Sequence, residues 1–154
     1  MRELRKRALP ALMVVMLVMT MTACDNTVKK AAERLSEIAD TLGEVQSVTI
    51  DAYDGALISQ EAHDQILRAT LRANEAGKAA TAVLAGLEES GIKDLDLDTK
   101  QKLLKYSVVI SDSLDPENLS AIANIQDPDV RNKIKTALAT ARAILVTLDA
   151  LLAF

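Results

Sequence analysis

The sequence predicts an all-α fold: an up-down-up-down four-helix bundle with a short extra helix before the last long one. Three observations carry this. Apolar residues recur three and four positions apart along most of residues 28–152, the spacing of one stripe of an α-helix. Only Val108-Val109-Ile110 has the composition of a strand, and no second strand exists for it to pair with. The connections between periodic segments are short, which sets consecutive long helices side by side and antiparallel. The chain has 154 residues, 49% of them hydrophobic. That is enough for one domain, residues 28–154, with a core of its own.

The first helix is expected over about 26–54, where Val28, Ala31, Leu35, Ile38, Leu42, Val45, Thr49, Ala52 and Ala56 form one row. Gly55 is the expected left-handed stop, and Ser59 can cap the next helix through its hydroxyl, giving a tight hairpin. The second helix, about 60–90, carries Ala62, Ile66, Ala69, Ala73, Ala76, Ala80, Val83 and Leu87, with Leu67, Leu71 and Leu84 widening the face. Gly77, four residues after Ala73, marks a close helix contact. Gly91 suits the position after the helix end, with Ile92 folding back on Leu87 as in a Schellman stop.

Beyond the loop from Asp94 to Asp98, Asp98 and Gln101 resemble a capping box for a helix over about 99–114, with Leu103, Tyr106, Ile110 and Leu114 on one side. Asp115-Pro116 and Asp127-Pro128 each pair an N-cap acid with proline at the first helical position, where its missing N–H costs nothing. They start a short helix over about 116–124 and a long one from 128 nearly to Phe154. In the long helix Ile134, Leu138, Ala141, Leu145, Leu148 and Leu152 form a row flanked by Val130, Ala137, Ile144 and Leu151. Arg142 and Asp149 interrupt it and argue against a membrane span.

The first 25 residues have a different character. Arg2, Arg5, Lys6 and Arg7 precede a charge-free run of 16 residues, Ala8 to Ala23. A bilayer-spanning helix needs about 20 apolar residues, so this run is short for an anchor and suits the apolar region of a signal peptide. It ends Met21-Thr22-Ala23-Cys24, and here the chain resembles a bacterial lipoprotein precursor with its lipobox; Met21 stands where that class usually has Leu. The resemblance covers residues 1–25 only. It implies that Cys24 is lipidated on its thiol, that residues 1–23 are removed, and that residues 24–27 tether the domain to a membrane. Two or more acyl chains suffice for stable anchoring where one does not. Asp25 resembles the signal that retains lipoproteins on the inner membrane in enteric-type bacteria.

Without residues 1–23, 14 Lys and Arg face 21 Asp and Glu, a formal charge of −7. That sign repels phosphates, and only two Tyr and one Phe are present to stack on bases, so nucleic acid is excluded as a partner. One Cys excludes an intramolecular disulfide framework, and one His leaves metal and acid–base chemistry short of ligands. Asp94, Asp96 and Asp98 have the alternating carboxylates of a calcium loop. However, Thr99 stands where the turn needs Gly, and Lys105 where the bidentate Glu should be. His63 stands among Glu61 and Asp64, with Asp51 and Asp54 expected across the hairpin, where a divalent ion could sit. Acids at a helix N-terminus also follow from the helix dipole alone. Asn74-Glu75-Ala76-Gly77-Lys78 lacks the glycine-rich lead of a phosphate loop.

The expectation is therefore a non-enzymatic, membrane-tethered helical module of the bacterial envelope, without a cofactor, that presents a surface to a protein partner. The alternative is a module that binds a small apolar ligand inside the bundle.

Overall fold

The computed structural model describes residues 26–153; the expected leader, Cys24, Asp25 and Phe154 lie outside the described residues. The described residues form four α-helices and one 3-10 helix, with no strand among them. They are α1 (Thr27–Asp54), α2 (Gln60–Glu89), α3 (Leu97–Ser113), a 3-10 helix (Pro116–Asn124) and α4 (Pro128–Ala153).

In α1 the buried residues are Val28, Ala31, Leu35, Ile38, Leu42, Val45, Thr49 and Ala52, the row read from the sequence except Ala56, which lies past the helix end and is exposed. Burying each larger aliphatic side chain contributes roughly 1.5–3 kcal/mol, which is what holds so long a helix to its neighbours. The Thr49 hydroxyl is satisfied locally, donating to the Val45 carbonyl at 2.6 Å. Asn26 and Thr27, expected in the tether, belong to the fold. Asn26 Oδ1 accepts from the Lys29 N–H at 2.9 Å, and Thr27 Oγ1 accepts from the Leu95 N–H at 3.2 Å.

The α1–α2 connection departs from expectation at one residue. Gly55 has φ −79°, and Ala56 takes the left-handed conformation, φ 55°. Helix α1 ends in a Schellman motif, with Leu57 N–H on the Ala52 carbonyl at 2.8 Å and Ala56 N–H on the Tyr53 carbonyl at 2.9 Å. Gly55 is thus the C-cap, and the left-handed position falls one residue later. A Cβ on Gly55 would approach the Asp51 carbonyl oxygen at 3.3 Å.

Ser59 Oγ caps α2 through the Ala62 N–H at 3.2 Å. Gly91 closes the helix as expected, with φ 71° and Ile92 N–H on the Leu87 carbonyl at 2.9 Å. Two expectations on this helix fail. Leu71 is 51% exposed, and Thr70 takes the buried position beside it, donating to the Ile66 carbonyl and accepting from Gln46 Nε2. The two residues lie about 100° apart around the helix, and the contact with α1 falls on the Thr70 side. Gly77 marks no close contact, since a Cβ there would meet nothing within 4 Å.

Helix α3 starts earlier than the sequence suggested. Asp96, not Asp98, is the N-cap, its Oδ1 accepting from the Thr99 N–H at 2.7 Å. Leu95 is buried, whereas Leu97 occupies the first helical position and is 69% exposed. The short helix is 3-10 rather than α, broken at Leu119 (φ −118°, ψ 31°). Leu119 and Ile122 are both buried, and their spacing of three matches the three residues per turn of a 3-10 helix. Gln65 Oε1 on α2 ties this segment down by accepting from the Ala121 N–H at 2.8 Å.

Asp127 Oδ1 caps α4, accepting from the Asp129 and Val130 N–H groups, each at 2.9 Å. Among the described residues α4 is the one helix long and apolar enough to cross a membrane. Its buried row, however, is Ile134, Ala137, Leu138, Ala141, Leu145, Leu148 and Leu152, and these join one core cluster with the other helices. Helix α1 packs on α2 and α4, α3 packs on α2 and α4, and the 3-10 helix lies against α2 and α4. Ser107 on α3 donates to Asp149 on α4, so the acid that interrupts the α4 row has a partner across the helix seam.

Candidate functional site

The expected metal candidates do not assemble into a centre. Asp96 is engaged as the α3 cap, and the hydrogen bonds from Thr99 hold its carboxyl below the ordinary value of 3.8. Asp94 and Asp98 are exposed. Among the described residues no group of three or more His, Cys, Asp or Glu side chains could hold a metal ion.

His63 lies in the first turn of α2, with its Nδ1 2.9 Å from Asp64 Oδ1. Its other neighbour is aromatic: the Tyr53 ring of α1 stacks on the imidazole with centroids 4.3 Å apart and planes 27° apart. Tyr53 thus fills the position across the hairpin where Asp51 and Asp54 were expected. The stack on Tyr53 and the contact with Asp64 clasp His63 at the hairpin.

What the sequence reading missed is the surface around that clasp. Ile50 is 44% exposed, Tyr53 38%, Leu57 45% and Leu71 51%. Ile50 and Tyr53 lie three apart on α1, just off its buried row. Leu67 and Leu71 extend the α2 row that begins at His63, at i+4 and i+8. The Tyr53–His63 stack and the Gln46–Thr70 hydrogen bond place these two rows along the same α1–α2 seam. The available signal was a second, weaker apolar row beside the main one, easily read as a widening of the core face.

The opposite end of α1 is fixed by the α2–α3 loop, where Val28 N–H and Thr27 Oγ1 both donate to the Lys93 carbonyl, at 3.2 and 3.3 Å. At 1.5 Å per residue, the 28 residues of α1 separate that end from the hairpin by about 40 Å. Compared with known proteins, the chain matches no protein family, no curated protein and no solved structure.

Proposed function

We propose that the chain is a membrane-anchored bacterial envelope lipoprotein whose helices form an up-down-up-down bundle and whose role is to present a protein-interaction surface, without catalysis. The observation that carries this reading is the exposed apolar seam of Ile50, Tyr53 and Leu71. The contacts of α1 with α2, α2 with α3, α3 with α4 and α4 with α1 support the bundle, because a ring of four antiparallel helices makes those pairings. Lipid on Cys24 would hold the chain two residues before Asn26, and α1 would then carry the seam about 40 Å outward from the anchor. Asp25 favours the inner membrane, and the domain would stand outside the cytoplasm. A small apolar ligand enclosed between α1, α2, α3 and α4 has less support, since their buried rows join in one core cluster.

Two variants test the reading. Cys24→Ser should abolish acyl labelling and leave the leader uncut; normal labelling refutes the anchor. In a pull-down from its own membrane, the double variant Ile50→Ser, Leu71→Ser should lose the protein captured by the parent chain while keeping its helical signal. Undiminished capture refutes the seam. The excess of acids predicts that capture weakens as salt rises over about 0.05–0.5 M, as charge-steered association does.

A further inference from the structure

A cavity of about 290 Å³ opens between the 3-10 helix and the middle of α4, away from the α1–α2 seam. Its inner lining is apolar and buried: Leu114, Leu119, Ile122 and Leu138 are each 6% exposed or less. Its rim is cationic, formed by exposed Lys135 and half-buried Arg142. These two lie seven residues apart, two turns along one side of α4, about 10 Å in rise. No Asp or Glu lines the cavity. Among the described residues neither cation has a carboxylate within ion-pair distance. In a domain where acids outnumber bases by seven, a cavity with two cations and no acid has the opposite electrostatic sign to the rest of the molecule.

From this we infer that the cavity binds a single-chain amphiphile with a carboxylate head, a free fatty acid of medium length. The acyl chain would replace water against the leucines and Ile122, and the carboxylate would meet Arg142, whose planar fork suits a carboxylate and is weakly hydrated, with Lys135 adding a second charge. The volume lies at the lower edge of small-ligand sites, about 300 Å³, which admits one chain and not a two-chain phospholipid. The proline-started, kinked 3-10 helix supplies one wall of the site. An α-helical continuation of α3 would have carried Pro116 and Leu119 elsewhere.

The test is photolabelling of the full-length protein in phosphatidylcholine nanodiscs with a diazirine-bearing decanoic acid, mapped by peptide mass spectrometry. Label is expected on residues 114–123 and 135–142, displaced by excess decanoate and not by decanol. The double variant Lys135→Gln, Arg142→Gln should lower label there by at least about tenfold, since even one hydrogen bond to a charged group contributes that much. Ala139→Leu, which adds bulk at an exposed lining position, should lower it too with the helical signal intact. Label spread evenly along the chain, equal displacement by decanol, or undiminished label in both folded variants would overturn the inference. The competition arm needs no variant, so it decides even if a substitution perturbs folding. Because this site is separate from the α1–α2 seam, its failure would leave the partner reading intact, and the converse holds.

Discussion

Two residues in equivalent positions of the same motif carry different side chains. Helices α1 and α2 both end in Schellman motifs; the left-handed position is Gly91 after α2 and Ala56 after α1. A side chain in that conformation costs roughly 1–2 kcal/mol, while glycine costs up to about 1 kcal/mol more in the unfolded chain. Ala56→Gly should therefore raise stability by up to about 1 kcal/mol, and Gly91→Ala should lower it by a similar amount, both read by urea unfolding. No atom lies within 4 Å of a Cβ built on Gly91, so crowding does not complicate the second case. A shift of the same sign in both variants would contradict the geometry. The motif after α2 was legible because Gly91 and Ile92 stand at the right offsets from Leu87. The motif after α1 was misplaced by one residue, because a sequence with Gly55 before Ala56 points to the glycine.

Among the elements, the start of α3 has a pH signature. Asp96 accepts from Thr99, and this hydrogen bonding holds its carboxyl below the ordinary value of 3.8 in the folded chain. A carboxyl depressed on folding stabilises above its unfolded value and loses that contribution as pH falls through the lower, folded value. Asp96→Ala should thus melt below the parent chain at neutral pH, with the gap closing as pH falls below about 3.8. Asp96→Asn, which can still cap, should keep most of the parent's stability and show little of this pH dependence. A gap that stays constant down to low pH would mean the carboxylate is not the cap. The spacing rule pointed to Asp98 because Gln101 stands three residues on, although Asp96 is equally an acid before a periodic run. With Asp96 as the cap, Leu95 is buried before the helix and Leu97 is exposed at its first position.

For the whole molecule, stability rests on aliphatic rows meeting in one cluster, with buried polar groups satisfied. Thr49, Thr70, Ser107 and Ser113 are buried and each donates a hydrogen bond. No buried side-chain nitrogen or oxygen among the described residues lacks a partner. Leu145 lies in that cluster at 3% exposure, while its chain neighbour Val146 is 68% exposed. Leu145→Ala should cost about 2–5 kcal/mol by calorimetry or urea unfolding, as large-to-small core changes do. Val146→Ala should stay within about 0.5 kcal/mol. Equal effects at the two positions would mean that α4 is rotated from the orientation described.

The sequence alone determined the helical class, the extents of α1, α2 and α4 to within a residue or two, the rows that α1 and α4 bury, and most of the row on α2. These depend on local periodicity and on capping residues within a few positions of each end, and short-range physics decides both. Tertiary structure alone decided which of two adjacent residues faces inward, as at Thr70 and Leu71, and where the left-handed residue falls after α1. It also set the pitch of the segment after Pro116 and the faces left uncovered. Each of these depends on what another helix presents across the seam: Gln46 meeting Thr70, Tyr53 meeting His63, Gln65 meeting Ala121. The apolar seam and the cation-rimmed cavity have the same origin. Both are built by residues far apart in the chain, whose neighbours exist only once the helices have packed.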